Sequence, residues 1–211
     1  FFKTGKGEYG EGDQFIGVVV PNLRIVAKKH FDADFDTLRE LLASPYHEYR
    51  LTALLALTYR YAKLKDHTSR ETCVNFYVSQ VDAINNWDLV DLSCYKILGH
   101  WLFDKDKQLL YDWAKENHLW KQRIAIISCM HFVKQGEFKD ALAIADLLQH
   151  HPHDLIHKAV GWILREIGKE DEQLLVDYLT PRYKEMPRTM LRYAIERFEE
   201  GKRKAFLNST I

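Results

Sequence analysis

Apolar positions recur along most of the chain at intervals of three and four residues, the spacing that places side chains on one face of an α-helix. Runs of Ile, Val and Thr joined by two-residue hairpin turns, which would indicate β-strands, are missing from the sequence. The one β-branched cluster, VVVPNL, contains Pro21, which favours the first turn of a helix. The pattern predicts helices over residues 46–64, 69–83, 87–103, 105–116, 119–135, 137–150, 154–169, 171–179 and 187–200.

The longer helices form a repeat when they are aligned on the residue that opens each apolar run. The aligned residues are Arg50, Asp91, Arg123, Lys158 and Arg192, with a loose period of roughly 32 to 41 residues. Such a period is typical of HEAT or armadillo repeats. We therefore expect an all-α fold, a curved α-solenoid of stacked antiparallel helix pairs, with the aligned residues on its concave face. The expected organisation is a single HEAT-like domain over residues 1–211, with an upstream segment allowed for because the sequence opens on Phe rather than Met.

Composition narrows the class of protein. With 211 residues and 46% hydrophobic content, the chain can bury a substantial core. Lys+Arg and Asp+Glu are both 30, which argues against a polybasic tail but leaves room for a local basic stripe. The sequence has no apolar run of about 20 residues, so no membrane span is expected. Three widely spaced cysteines, Cys73, Cys94 and Cys129, indicate core positions in a reduced, cytoplasmic protein. We also expect a monomer, and no cofactor.

Four of the five aligned residues are basic, and a row of bases along a groove suits the phosphate backbone of DNA. The alternative is that these bases are ordinary surface charges paired with Glu48, Glu166 or Glu196. Their recurrence at one repeat position favours the DNA interpretation. A non-catalytic DNA-binding protein and a protein-interaction scaffold remain competing classes, although a charged repeat position disfavours the scaffold.

The segment INNWDLVDLS contains the one acid of the aligned set, Asp91, four residues after Trp87. An acid near a helix start can simply complement the helix dipole, with Asn85 or Asn86 as N-cap. Asp88 fits that interpretation well, whereas Asp91 lies further inside and replaces a base. An acid among phosphate-binding bases indicates a substrate that carries positive charge close to its phosphates.

Three tryptophans, Trp87, Trp120 and Trp162, lie about one helical turn from an aligned residue. Burial between helices is the usual fate of an indole. Their shared position beside a charged groove favours aromatic walls that stack on bases or sugars and attract a cation. A histidine cluster, His150, His151 and His153, has no Cys or acid at ligand spacing, so a solvated loop is favoured and no metal site is predicted.

With these residues in place, the sequence resembles the AlkD-like DNA alkylation repair glycosylases, a family built of HEAT-like repeats. The similarity rests on W-D-x-V-D from Trp87, L-W-x-Q-R from Leu119 and K-A-x-G-W-x-L-R-E from Lys158. The opening FFKTGKGEYGEGDQFIGV and the following P-x-L-R also resemble the family, so the matches run in order to about residue 200.

The resemblance implies a monofunctional glycosylase that releases cationic purines such as 3-methyladenine and 7-methylguanine from double-stranded DNA. It implies that Asp91 is the catalytic carboxylate, that Trp87 and Trp162 flank the deoxyribose of the lesion, and that Arg123 meets the DNA backbone. Two positions depart from the best-known branch, which has a second tryptophan at Asn86 and a glutamine at Val19. The full set of residues expected to contact DNA is Arg123, Lys158, Arg50, Arg192, Arg165 and Trp120.

Overall fold

The computed structural model describes residues 2–211, and this part of the chain is helical from near its start to near its end. Residues 2–211 contain no β-strand, only an isolated bridge between Gln14 and Tyr46. The all-α prediction is therefore confirmed. The α-helices are α1 (Val20–Lys29), α2 (Phe35–Leu42), α3 (His47–Lys63), α4 (His67–Ser79), α5 (Trp87–Asp91), α6 (His100–Leu102), α7 (Gln108–Lys115), α8 (Leu119–Ser128), α9 (Met130–Lys134), α10 (Lys139–Leu148), α11 (Asp154–Glu170), α12 (Glu172–Leu179), α13 (Arg188–Ala194) and α14 (Glu200–Asn208).

The chain divides between Trp101 and Leu102 into two compact units. In the first unit, α1 and α2 both pack against α3, which buries an almost continuous run of leucines and alanines from Leu51 to Leu57. Helix α4 packs against a π-helical turn, Tyr95–Gly99, that lies between α5 and α6. The predicted pairing of a shorter helix with a longer one is thus present in this unit.

In the second unit, α11 is the central helix and packs against α8, α10, α12 and α13. Its apolar face is fully buried, because Ile156, Val160, Ile163 and Ile167 recur at spacings of three and four residues. Helix α7 packs against α8 and α10. Pairing of successive helices therefore recurs here and agrees with a helical-repeat fold.

Several helices begin at an aspartate whose side chain accepts a hydrogen bond from the first turn. Asp34 accepts from the Thr37 N–H at 2.7 Å, and Asp66 accepts from the Ser69 N–H at 2.8 Å. Asp171 does the same for α12 at 2.9 Å. Each cap satisfies an N–H that has no partner within its helix, which places the helix starts where the sequence puts these acids.

The structure also corrects the predicted helix boundaries. The helix expected over 87–103 contains the π-helical turn, and the one expected over 119–135 is interrupted at Cys129 between α8 and α9. Helices α2 and α14 were not predicted, although the apolar residues Phe35, Leu38, Leu41 and Leu42 of α2 do recur at helical spacing. Cys73, Cys94 and Cys129 are buried, as expected for core positions. Within residues 2–211, no helix is long and apolar enough to cross a membrane.

Candidate active site and nucleic-acid interface

Asp91 is the last residue of α5 and lies half-buried in the first unit. Its carboxylate is close to two tyrosines: burial raises the pKa of Tyr77 and of Tyr95, and the negative charge of Asp91 adds to both increases. The π-helical turn Tyr95–Gly99 begins four residues after Asp91. Such turns often occur at functional sites, because the extra residue redirects the side chains beside it.

The start of α5 is held by an asparagine, as the helix-cap interpretation predicts. Asn86 is fully buried, and its Oδ1 accepts a hydrogen bond from the Trp87 N–H at 2.8 Å. Its Nδ2 donates to Asp13 at 3.0 Å, so the cap is itself fixed by the N-terminal segment. Asn86 therefore has a structural role at the start of the helix that ends at Asp91. This is the position at which the best-known branch of the AlkD-like family has a second tryptophan.

Trp87 is half-buried, and its indole stacks on Phe2, with ring centroids 5.6 Å apart and planes inclined by 28°. It opens the same short helix that ends at Asp91. Residues four apart share a helix face, so the indole and the carboxylate lie on one side of α5. This arrangement places an electron-rich ring beside an anion, a combination that favours a positively charged partner.

Behind α5 lies a group of buried charges, which we call the His47 network: Asp13, His47, Arg50 and Asp88. The Nε2 of His47 is 2.8 Å from Asp88, and its Nδ1 is 3.4 Å from Asp13. Arg50 donates to Asp13 at 2.5 Å. Asp88 was predicted to be an acid that complements the helix dipole, whereas the structure buries it against a histidine from α3.

The structure places Arg50 inside this network rather than at a surface. Its side chain is 6% exposed, and besides Asp13 it hydrogen-bonds the Ser44 carbonyl at 3.0 Å. The pairing with Glu48 considered as the alternative is also wrong, since Glu48 accepts hydrogen bonds from the backbone of Ile16 and Gly17. We therefore leave Arg50 out of the proposed DNA contacts.

In the second unit, Arg123 lies in α8 and is only 4% exposed. Its guanidinium donates a hydrogen bond to the carbonyl of Leu155, in the first turn of α11. The neighbouring Gln122 hydrogen-bonds His151 at 3.0 Å. Arg123 therefore helps to fix the start of α11, and any contact with a phosphate has to use the small exposed part of its side chain.

Helix α11 carries three more of the predicted site residues, Lys158, Trp162 and Arg165. The indole of Trp162 is half-buried and donates to Glu166 at 3.2 Å. Lys158 is 40% exposed and pairs with Asp154 at 2.6 Å. Arg165 pairs with Glu196 and lies 3.6 Å from Glu166. Lys158 belongs to the aligned set, so the alternative of a base paired on the surface holds for Lys158 through Asp154. Arg165 lies outside that set.

Two further predicted residues have contrasting positions. Arg192 in α13 is exposed and available to a polyanion. Trp120 is 9% exposed, so the structure places it in the core rather than in an aromatic wall. The apolar surroundings that bury an indole between helices are decided by packing, which the local sequence does not specify.

The histidine cluster forms a hydrogen-bonded turn at the start of α11. His151 Nδ1 accepts from the His153 N–H at 3.0 Å, and His153 Nδ1 accepts from the Leu155 N–H at 3.1 Å. Burial lowers the pKa of His151 and of His153, which matches their role as acceptors in the neutral form. In residues 2–211, no cluster of three or more His, Cys, Asp or Glu side chains is arranged to hold a metal ion.

His47 and Asp13 were not predicted from the sequence as site residues. The two residues that flank His47 in space are 34 and 41 positions away in the chain, so no local spacing identifies them as partners. The only signal is the concentration of polar residues, His47, Glu48 and Arg50, at the start of the otherwise apolar helix α3. Such residues at a helix start are usually assigned to solvent.

Comparison with solved structures identifies the fold as that of a helical-repeat protein. A structure titled "Predicted DNA alkylation repair enzyme from Enterococcus faecalis" superposes with a TM-score of 0.70 over 91% of this chain and 92% of that chain. The two sequences are 14% identical, so this similarity shows the fold alone. No curated protein gives a significant sequence match.

The family follows from the sequence itself. The family model described as "DNA alkylation repair enzyme" matches residues 1–198, and the chain belongs to this family. Membership assigns the protein a role in DNA alkylation repair, and with it an interaction with DNA.

Proposed function

We propose that the protein is a monofunctional DNA glycosylase that hydrolyses the N-glycosidic bond of cationic alkylated purines, such as 3-methyladenine and 7-methylguanine, in double-stranded DNA. The observation that carries the proposal is the position of Asp91, half-buried at the end of α5 and one helical turn from the half-buried indole of Trp87. Its membership in the DNA alkylation repair family supports the choice of substrate class. This function requires access to DNA and suits a cytoplasmic monomer.

The chemistry of these lesions fits a lone carboxylate. A purine alkylated at N3 or N7 already carries positive charge, so it leaves as a neutral base without a general acid. As the bond between the base and C1′ breaks, positive charge develops on the sugar. A fixed negative charge stabilises that cation, and this kind of preorganised electrostatic contact is usually the largest contribution to catalysis. Water then bonds to C1′ and gives up a proton, which Asp91 accepts or passes to solvent.

Partial burial makes the carboxylate effective. At an effective dielectric constant of about 20, two unit charges about 4 Å apart interact by about 4 kcal/mol, against about 1 kcal/mol in bulk water. Asp91 lies between these two environments, since it is neither exposed nor enclosed. In the proposed mechanism, Trp87 adds the attraction of its ring face for the same cation.

The second unit supplies the proposed contacts with the DNA backbone. Arg192 and Lys158 are exposed enough to neutralise phosphates, and Arg165 can exchange its pairing with Glu196 for one. We also propose that Trp162 and the exposed edge of Arg123 contact the DNA, as the family resemblance implies. Because the formal net charge is zero, binding depends on where these bases lie rather than on the overall charge.

The test is single-turnover release of 7-methylguanine from methylated double-stranded DNA at saturating enzyme, with wild type and Asp91→Asn compared. The substitution keeps size and hydrogen-bonding capacity but removes the charge. We expect the rate to fall by about 10²- to 10³-fold, the usual loss for one preorganised electrostatic contact. The affinity for DNA should be equal or slightly higher, because a carboxylate near phosphates is repulsive before the reaction.

Asp32→Asn is the matched control, since it removes the charge of an exposed aspartate in the same unit. It should excise at the wild-type rate. If Asp91→Asn also excised at the wild-type rate, Asp91 would be only an acid near a helix start. DNA binding without any excision by the wild type would instead favour the alternative, a non-catalytic DNA-binding member of the family.

A further inference from the structure

His47 is enclosed between two carboxylates at a depth where histidine is seldom charged. Its side chain is 2% exposed, and those of Asp13 and Asp88 are 4% and 6% exposed. One ring nitrogen faces each carboxylate. The doubly protonated imidazolium is the form that can donate to both at once, so the geometry favours a buried cation.

The electrostatic surroundings of His47 also favour its charged form. Burial by itself lowers the pKa of His47, but the hydrogen bonds and charges of Asp13 and Asp88 outweigh it and raise the pKa to about 9. The pKa of Asp13 is lowered although burial opposes the shift, because His47, Asn86 and Arg50 all stabilise its charged form. In the His47 network each basic side chain therefore faces an acidic one: His47 lies between Asp13 and Asp88, and Arg50 donates to Asp13.

Both carboxylates of the network connect His47 to the first residues of α5. Asp88 is the second residue of that helix and lies one turn before Asp91. Asp13 receives a hydrogen bond from Asn86, whose own Oδ1 accepts from the Trp87 N–H. Protonated His47 thus holds α5 through Asp88 directly and through Asp13 and Asn86 indirectly.

Aromatic rings connect the same histidine to Trp87 on the other side. Phe15 stacks on the His47 ring at 4.9 Å, and Phe2 lies 4.8 Å from it. Phe2 also stacks on Phe15 at 4.8 Å and on Trp87 at 5.6 Å. The faces of these rings attract a cation, so the charge on His47 favours the stack that holds the indole.

We propose that His47, held between Asp13 and Asp88, is a positioning residue that fixes α5 and so sets the place of Trp87 and Asp91 for hydrolysis. The inference rests on the proposed function, because it assigns the network to the same reaction. Small displacements of a reacting group are costly: a shift of about 1 Å can reduce a rate by about 10²-fold. The network is buried and touches no substrate, so its effect should appear in the rate of the chemical step and not in DNA affinity.

The experiment compares His47→Gln, which cannot carry the charge, with His47→Arg, which keeps it and can donate to both carboxylates. His47→Gln should lower the single-turnover rate by about 10- to 100-fold and leave the dissociation constant for DNA unchanged. His47→Arg should restore most of the rate. The control is His100→Gln, since His100 bonds Tyr61 in the same unit, outside the network, and this variant should behave as wild type.

A pH profile separates positioning from simple support of the fold. The groups that face His47 are the carboxylates of Asp13 and Asp88, with Arg50 on the other side of Asp13. Tyr77 and Tyr95, near Asp91, have pKa values raised above 10. The wild-type rate at saturating enzyme should therefore fall as pH rises through about 9. His47→Arg should not show this fall, and it provides the test even if His47→Gln fails to fold.

The possible failures are distinguishable. If Asp91→Asn lowers the rate but folded His47→Gln matches wild type, the positioning role is overturned while the glycosylase proposal stands. The same conclusion follows if wild type and His47→Arg share one pH profile. If Asp91→Asn matches wild type, the glycosylase proposal fails. A measurement that does not depend on activity is the NMR signal of the Trp87 indole N–H, which reports on the position of α5. This signal should shift near pH 9 in wild type but not in His47→Arg. A signal that does not shift overturns the role of His47 independently of activity.

Discussion

Gly161 lies in α11 at the point where α13 approaches most closely, and we predict that replacing it by alanine destabilises the second unit. A Cβ added at Gly161 would lie 2.5 Å from the Cβ of Tyr193 and 2.6 Å from the carbonyl oxygen of Met190. Both atoms belong to the backbone or are fixed directly to it, so neither can turn aside. The glycine is therefore required by the distance between the two helices rather than by its backbone angles.

The magnitude follows from these distances. Carbon atoms in contact are about 3.5 to 4.0 Å apart, so α13 would have to move by about 1 Å. Overpacking of this kind typically costs about 1–3 kcal/mol, whereas replacing a glycine within a helix by alanine returns about 1 kcal/mol. The expected net loss for Gly161→Ala is therefore up to about 2 kcal/mol in the free energy of unfolding.

Gly168→Ala in the same helix is the matched control. The Cβ added there would lie 2.4 Å from Cδ2 of Leu175, a terminal methyl that can rotate away. The same gain in helix propensity applies, so its stability should stay within about 1 kcal/mol of wild type. The assay is urea unfolding followed by circular dichroism. If Gly161→Ala proved as stable as Gly168→Ala, the close packing of α11 against α13 would not be the reason for the glycine.

Two other predictions concern pH and salt. The folded pKa of His47, about 9, lies above its ordinary value of 6.5, so its stabilising contribution is fully present below pH 6.5 and is lost as pH rises through 9. The contribution of His47 to the free energy of unfolding is at most about 3 kcal/mol. The urea midpoint of the wild type should therefore fall between pH 7 and 10. A midpoint that stays constant, or that falls equally in His47→Gln, would contradict this prediction. Lys158→Gln should lower the slope of log K against log salt by about one unit, with equal weakening for all DNA sequences. Arg123→Ala should also lower the salt slope by about one unit. In addition it should lose about 1–3 kcal/mol in the free energy of unfolding, because the Leu155 carbonyl loses its donor. If either substitution left the salt slope unchanged, that residue would not be a DNA contact.

The sequence by itself determined the elements of the fold and the residues proposed for chemistry. Helices such as α3 and α11 were predictable because their apolar residues recur at helical spacing over 17 residues, and their ends were located to within a residue or so. Asp91 and Trp87 were also recognisable, since the acid replaces a base at one repeat position and the indole lies a turn away. Helical spacing is a local signal, carried by residues within one or two helical turns, whereas the repeat position is recognised by aligning segments roughly 32 to 41 residues apart.

Only the tertiary structure decided which polar residues are buried. Arg50 and Arg123 occupy the same repeat position as Arg192, yet the first two are enclosed and the third is exposed. The difference comes from partners far along the chain: Asp13 for Arg50 and the Leu155 carbonyl for Arg123. A charge leaves water only where such partners replace its hydration. Because His47 meets Asp13 and Asp88 across 34 and 41 residues, its burial as a cation is a consequence of packing that no local pattern in the sequence encodes.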